Sequence, residues 1–503
     1  MVAAALGGTL GAAGYAPTSF WPGTVLAVAC LGLTAVLART ARQAALNGTA
    51  FGLALTSITL NWMRLIDLGA AAGLVVAISA WYAVLGVATN LARRTRWWPL
   101  LASGLWVLME YAASRFPFGG FGWLRLGYTM IDSPLSGLFP LVGVGGVSLA
   151  TAIAAQSLVW VGVHPSPRRA TASALTFVAL LGSALAGAAV PASRTEGTIT
   201  LGWVQGGAPG GGVFGIGPAR STAVRHATQT TALGNDIRRG DAPQPDAVIW
   251  PENSTDLDPG ADPMTRRLIE NSVAAVNAPI LVGTILNGPG ADQRQTASQW
   301  WSEQGAGARY IKRSLVPFGE WIPFRDILLP LIPELRYVGA QSVPGTLPGI
   351  LSLTLRDGRR ATVGVLLCFD VAFDQVAYDL PTGDAQIVVV QSSNAMYQGS
   401  SQVDQQFAIT RARAAELRRE VLVVTTSGIS GLIDPYGTPS LRIDRGAASG
   451  VATIALRSGA TPAALIAVPL QQASSLVSLG WLGVLAWRAS RQRLNGHRAL
   501  RDG

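Results

Sequence analysis

The sequence predicts a multi-pass α-helical membrane domain of about eight helices joined to an exported α/β domain. Three observations predict it. Of the 503 residues, 49% are apolar and only 13% are charged, with a mean hydropathy of +0.35; a soluble domain carries about twice that charged fraction. Eight stretches approach the roughly 20 apolar residues that a membrane helix requires. Between the seventh and the eighth lie about 270 residues of ordinary soluble composition.

The eight stretches run over 2–14, 20–38, 48–65, 68–90, 97–114, 139–163, 171–190 and 464–487, the first being the shortest. Arginines orient them. Arg39 and Arg42 follow the second stretch, Arg93, Arg94 and Arg96 the fourth, and Arg168 and Arg169 the sixth. Arg488, Arg491, Arg493, Arg498 and Arg501 follow the eighth. With eight helices, all four basic segments fall on one side, which places both termini in the cytoplasm and the large intervening region outside it. The expected organisation is membrane helices over 1–192, an extracytoplasmic domain over 193–463, a final membrane helix over 464–488 and a basic cytoplasmic tail over 489–503. The first helices suffice to direct insertion, without a cleaved signal. The same arginine pattern accounts for the net charge of +10, so no nucleic-acid partner is expected.

The region between the helices reads as α/β. Apolar, β-branched runs appear as TITLGWVQ, DAVIWPE, APILVGTIL, ATVGVLLCFD, AQIVVVQSS and EVLVVTTSG, with helical patterns at Met264–Val276 and Gln405–Glu416 between some of them. Continuous apolar strands alternating with helices predict sheets covered on both faces. The Gly-rich stretch GGAPGGGVFGIG at 206–217 lacks the Gly-Lys-Ser/Thr ending of a phosphate loop and reads as an ordinary loop.

Three segments of this region carry reactive groups. DAVIWPE ends in Glu252, YIKRSLVPFGE holds Lys312 and Glu320, and VGVLLCFD presents Cys368. The other cysteine, Cys30, lies inside an apolar run, so no structural disulfide is expected. The AVAC sequence around Cys30 lacks the basic region that precedes a lipoprotein signal. A thiol must become a thiolate to attack. A carboxylate can take its proton, and a lysine with the N–H of Phe369 can hold the oxyanion. His226 is the region's one histidine, so Cys-His or Ser-His-Asp chemistry is poorly supplied, and no metal or cofactor is expected. Spacing alone leaves the structural readings open: a packing cysteine, a turn glutamate and a solvated lysine.

The order WPE, K-x-x-L-V-P-F-G-E and Cys-aromatic-acid at a strand end resembles the carbon–nitrogen hydrolase (nitrilase) superfamily, whose fold is an αββα sandwich. With membrane helices before and after, nearly the whole chain resembles the apolipoprotein N-acyltransferase family. GYAPTSFWP near the start, FGWLRLGY at 121–128, the stretch Gln406–Glu416 and SGISGLIDPYG strengthen the resemblance. It implies a catalytic triad of Glu252, Lys312 and Cys368, with Glu320 as a further active-site glutamate and Phe369 and Asp370 beside the nucleophile. It implies transfer of a fatty acyl chain from a membrane phospholipid to the α-amino group of a diacylglyceryl-cysteine at an apolipoprotein's N-terminus, through a thioester on Cys368. The expected setting is a bacterial cytoplasmic (inner) membrane, with catalysis on the extracytoplasmic face.

Two departures stand out. The family's Cys-Tyr-Glu is here Cys368-Phe369-Asp370, and its Ser-Asn-Asp-Ala-Trp-Phe is here Ser393-Asn394-Ala395-Met396-Tyr397. Apolar loop tips at Phe318, Trp321, Ile322 and Phe324, together with Asn394 and Tyr397, are candidates for a lipid gate or lipid contacts, or else for ordinary packing. The alternative function is a membrane-tethered amidase or hydrolase using the same triad. A transport role is poorly supported, because ionisable residues are scarce inside the helices, Glu110 being an exception.

Overall fold

The computed structural model describes residues 1–212, 215 and 217–499, with the side chains of 492–499 excepted. Arg501, the side chains of Arg493 and Arg498, and positions 213, 214 and 216 of the Gly-rich loop lie outside the described residues. The chain divides into two compact units, Met1–Val190 with Ile466–Gly503, and Pro191–Leu465.

The first unit is helical. Its helices are α1 (Val2–Gly14), α2 (Trp21–Val36), α3 (Ala41–Thr59), α4 (Leu68–Ala92), α5 (Trp98–Ala113), α6 (Phe139–Val163) and α7 (Pro167–Ala188), with most of the last helix of the chain, Pro462–Ala499. Among the described residues, four helical spans are long and apolar enough to cross a membrane: Leu68–Ala92, Ser136–Val163, Pro167–Ala188 and Pro462–Arg491. α1 and α2 are shorter and apolar. α6 is the most enclosed of the four spans and α7 the least, so α6 is central and α7 peripheral.

Caps move several boundaries from their expected places. α3 begins seven residues before 48, because Thr40 accepts from the Gln43 N–H and starts the helix among polar residues. α7 begins at Pro167, capped by Ser166 on the Arg169 N–H. Arg42, Arg168 and Arg169 therefore sit in first helical turns rather than in loops. The last helix does not stop near 488 but continues to Ala499, since Arg, Gln and Leu are strong helix formers and cations suit a helix C-terminus. At the end of α2, Asn90 donates to the carbonyls of Ala35 and Ala38, and Arg93 to that of Val36, which satisfies orphan carbonyls.

Packing between α3 and α4 depends on small residues. A Cβ at Gly48 would lie 2.1 Å from the Tyr82 carbonyl oxygen, so the two backbones touch there. The Thr56 hydroxyl, one turn beyond Gly52, bonds the Gly52 carbonyl and meets Ser79 Oγ across the same interface.

The second unit is a four-layer αββα sandwich. Its elements are β1 (Thr195–Gln205), α8 (Ser221–Arg239), β2 (Ala247–Ile249), α9 (Pro263–Val276), β3 (Ile280–Asn287), β4 (Gln293–Ser302), β5 (Gly305–Ile311), α10 (Arg325–Leu331), β6 (Gln341–Ser342), β7 (Ile350–Thr354), β8 (Arg360–Leu367), α11 (Asp374–Thr382), β9 (Ile387–Ser392), α12 (Ser401–Leu417), β10 (Val421–Thr425), β11 (Ser430–Ile433), β12 (Pro439–Ile443), β13 (Ala448–Arg457) and α13 (Pro462–Ala499), the shared last helix. One sheet runs β13-β1-β2-β3-β4-β5 with β6 on β4, the other β12-β11-β10-β9-β8-β7. Strands β1-β2-β3 and β8-β9-β10 are parallel, and their neighbours antiparallel.

Alternation along each strand divides its side chains between two layers. Leu201, Trp203, Val363, Val365, Leu367, Val389, Leu422 and Val424 fill the space between the sheets. Val204, Val248, Trp250 and Ile280 face the other way, against Leu233 of α8 and Ile269, Val273 and Val276 of α9. The strands read as continuous apolar runs because each sheet is covered on one face by the other sheet and on the other by helices.

Gly48→Leu is expected to lower the yield of folded protein in detergent and its Tm by several degrees, since overpacking costs roughly 1–3 kcal/mol. Gly73→Leu on α4, where an added Cβ meets nothing within 4 Å, is the matched control and is expected to melt like the parent. Thermal melts of the two variants check this.

Candidate active site

The reactive groups gather where strands end. Glu252 follows β2, Cys368 follows β8 and Ser393 follows β9, all at the carboxyl ends of parallel strands, where α/β sheets open a crevice. Lys312 follows β5 in the other half of the first sheet. Pro251 and Glu252 lie so close to β3 that a Cβ at Gly283 would sit 2.1 Å from the Pro251 oxygen. Only a glycine lets the Glu252 backbone come this near.

Lys312 is the centre of the constellation. Its ammonium donates to Glu252 Oε1 at 2.9 Å and to Glu320 Oε1 at 2.9 Å. Glu252 and Lys312 are each only 2% exposed. Glu252 Oε2 accepts the Ser393 N–H at 3.1 Å, and Glu320 Oε2 accepts the Val316 N–H at 2.7 Å. The Val316–Glu320 turn closes on itself, with the Glu320 N–H bonded to the Val316 carbonyl. Both carboxylates are thus fixed by a backbone donor as well as by the lysine.

Cys368 occupies a left-handed backbone conformation, φ 48°, which is strained for a residue with a Cβ. It opens a 3₁₀ turn, Cys368–Ala372, so that the Phe369 N–H lies at a helical N-terminus. Asp370 holds the turn. Its carboxylate accepts from the Leu367 N–H (3.1 Å), the Ser314 N–H (2.9 Å) and the Tyr310 hydroxyl (2.9 Å). Tyr310 and Ser314 flank Lys312, so one buried acid ties the Cys368 turn to the lysine's segment. Phe369 is buried edge-to-face against Phe373.

The electrostatics follow from burial. Burial raises the Glu252 carboxyl above its usual value, opposed by Lys312. Burial alone would depress Lys312, but Glu252 and Glu320 together hold it well above the ordinary lysine value. Burial also pushes the Cys368 thiol up, as do Glu252 and Glu320, against Lys312 and Gln406. At rest the sulfur is therefore a thiol.

The other candidates divide. Phe318 and Phe324 are exposed, at 39% and 67%, and Ile327, Leu331 and Tyr337 continue an apolar surface beside them. Ile322 is not an exposed tip: it is 3% exposed, with its N–H on Gln341 Oε1, because the segment folds back beside Gln341 of β6. Trp321 is half-buried. Asn394 is buried, in a left-handed conformation beneath Gly428. Tyr397 is half-buried, and its phenol is pushed up by burial and then by Cys368 and Glu320.

Two contributors were not picked out from the sequence. Gln406 of α12 donates its amide to Cys368 Sγ at 3.4 Å. Arg413, fully buried, donates to the Val371 carbonyl, Asp374 and Glu416, and so clamps the far end of the 3₁₀ turn. Polar residues on a helix look alike in sequence whether they face water or a sulfur. The unused signal was a seven-residue spacing, which puts both on one helix face. His226 stands apart from this group: its Nδ1 meets the Thr222 carbonyl and its ring packs on Trp250. Among the described residues no cluster of side chains suits a metal ion.

Residues 7–157 match the family described as the apolipoprotein N-acyltransferase N-terminal domain, and residues 280–460 match the carbon–nitrogen hydrolase family. The apolipoprotein N-acyltransferase of Mycolicibacterium smegmatis is 33% identical, over 87% of this chain and 76% of that protein. The apolipoprotein N-acyltransferase of Vibrio cholerae is 24% identical, over 98% of each chain. A crystal structure of an amidase from Nesterenkonia sp. aligns with 54% of this chain and 93% of its own, at 16% identity and a TM-score of 0.37.

His226 generates a pH prediction. Burial lowers its pKa from 6.5 to about 4. The unfolded chain therefore binds a proton between pH 6.5 and 4 that the folded chain refuses, and stability falls as pH falls through that window. The whole effect is about 3 kcal/mol. Denaturation of wild type and His226→Leu at pH 4.5 and 7 is expected to show a smaller acid-induced loss in the variant.

Proposed function

The chain belongs to the apolipoprotein N-acyltransferase family, and from this premise we propose that Cys368 carries the acyl group as a thioester between a phospholipid and a lipoprotein. The protein is an acyltransferase that N-acylates lipoproteins. The single observation that supports the site assignment best is the buried Glu252–Lys312–Glu320 group around Cys368.

In the first half, Glu252 takes the thiol proton while Sγ attacks the ester carbonyl of a phospholipid. The Lys312 ammonium and the Phe369 N–H stabilise the oxyanion, a role in which pre-aimed donors act strongly away from water. The ester C–O bond breaks, the leaving oxygen takes the proton from Glu252, and lysophospholipid departs. In the second half, the α-amine of the diacylglyceryl-cysteine attacks the thioester and gives its proton to Glu252. The C–S bond breaks, the sulfur regains a proton, and the amide product leaves. Glu320 acts on Lys312: it holds the ammonium between two acids, so that Lys312 stays charged and aimed.

Both substrates keep their chains in lipid, since exposing each methylene to water costs about 0.8 kcal/mol. We assign the exposed apolar surface of Phe318, Phe324, Ile327, Leu331 and Tyr337 to contact with those chains. The protein sits in a membrane, and the arginine pattern supports cytoplasmic termini with the 193–463 region on the extracytoplasmic face of the inner membrane.

Phospholipid alone is expected to add one acyl mass to the enzyme, released by neutral hydroxylamine and by a diacylated peptide. Cys368→Ala is expected to gain none, and Glu252→Gln little. Lys312→Met is expected to be slowed roughly a hundred- to a thousandfold, and Glu320→Gln strongly slowed with folding intact. Intact-mass spectrometry decides it: active wild type that never gains the mass, with Cys368→Ala still transferring normally, removes the thioester. Orientation has its own measurement. Reporters fused at residue 300 and at the C-terminus are expected on opposite sides of the membrane, and finding both on one side ends the eight-helix topology.

A further inference from the structure

We propose that Gln406 is a catalytic hydrogen-bond donor to the Cys368 sulfur, acting on the thiolate in both halves of the transfer; the proposal rests on the assignment of Cys368 as nucleophile. The amide Nε2 lies 3.4 Å from Sγ, within hydrogen-bonding range for sulfur, and Gln406 is 3% exposed.

The charges around the sulfur explain why a donor is needed there. Two carboxylates, Glu252 and Glu320, share one ammonium, Lys312. With all three ionised their sum is −1; once Glu252 has taken the thiol proton, Lys312 and Glu320 balance each other and that one negative charge lies on the sulfur. Lys312 is already engaged at 2.9 Å by both acids. A further cation beside the sulfur would compete for those acids. A neutral amide favours the thiolate without drawing either carboxylate away.

Helix α12 makes the donor rigid. Gln406 and Arg413 are seven residues apart, about two helical turns, and so share one face. Gln406 meets Cys368 at the start of the 3₁₀ turn, while Arg413 bonds the Val371 carbonyl (2.8 Å) and Asp374 (2.8 Å) at its end. Asp374 and Glu416 both pair with the buried guanidinium, and Tyr378 donates to Glu416. The helix thus grips the nucleophile's turn at both ends, which fixes the backbone of Gln406 beside the sulfur.

The donor matters when sulfur carries charge. In the first half the thiol proton passes to Glu252 as the S–C bond forms, and the amide steadies the sulfur at the start of that attack. In the second half the amine N–C bond forms, the C–S bond breaks, and the amide receives the departing thiolate before it is reprotonated. The neutral thioester between them gains least. Gln406 therefore acts on the barriers rather than on the resting acyl-enzyme.

The test uses full-length protein in detergent, in a Cys30→Ser background so that Cys368 is the one thiol. Alkylation of Cys368 by iodoacetamide is followed by mass against pH. Gln406→Met keeps the length of the side chain but has no N–H. It is expected to move the alkylation midpoint up by about one pH unit and to slow alkylation about tenfold at a fixed pH below it. Acyl-enzyme formation from phospholipid and its discharge by a diacylated peptide are expected to slow in similar ratio. Gln406→Glu, isosteric with the parent, is expected to move the midpoint further, and it carries the test if the Met variant does not fold. A purely structural glutamine would leave the midpoint in place, so an unshifted midpoint in a folded variant overturns the proposal. Complete alkylation of Cys368 that leaves transfer at full rate overturns the nucleophile assignment instead.

Discussion

One lysine between two carboxylates, all three largely withdrawn from water, is the constraint around which the second unit is arranged. Each buried ion costs several kcal/mol to desolvate, and a buried ion pair is seldom a net source of stability. Lys312, Glu252 and Glu320 repay part of that cost through short contacts and through the Ser393 and Val316 N–H groups. Removing Lys312 strands both acids. On the proposed mechanism such a group persists because of the chemistry it does, and the surrounding fold holds it against its own electrostatic cost.

The sandwich meets that requirement by bringing the ends of two sheets to one rim. Glu252 comes from the first sheet, and Cys368 and the Ser393 N–H from the second. Asp370 fastens the sides together: it bonds Leu367 just before Cys368, and Tyr310 and Ser314 on either side of Lys312. The exchange of the family's glutamate for a shorter aspartate at this position leaves three donors on the carboxylate. The family's tyrosine is here Phe369, whose ring packs on Phe373.

Much of the fold was legible because it depends on long-range solvent preference. Eight apolar stretches correspond to eight helices, and the six apolar runs to β1, β2, β3, β8, β9 and β10. Elements that depend on local hydrogen bonds or on one half-polar face were not. Thr40 moves the start of α3, and β4, β5, β7 and β11 to β13 mix polar residues into their strands. In the site, Glu252, Lys312 and Cys368 were legible as rare reactive types at strand ends in a familiar order. Gln406 and Arg413 were not, since their role lies in what a helix face meets across the fold. Ile322 takes the ordinary packing that the sequence left open beside a lipid contact, since a run of apolar loop residues does not reveal which of them folds inward.

The left-handed backbone at Cys368 has an evolutionary consequence. At φ 48° a glycine would sit with less strain than any residue carrying a Cβ, so the most relaxed chain at this position lacks the thiol. Selection for durability alone would drift toward that chain, and on the proposed mechanism only selection for turnover keeps the thiol. A library of variants screened for heat resistance without an activity screen would therefore enrich the loss of the proposed nucleophile, and the thermal ranking of such a library would run against its catalytic ranking at this position.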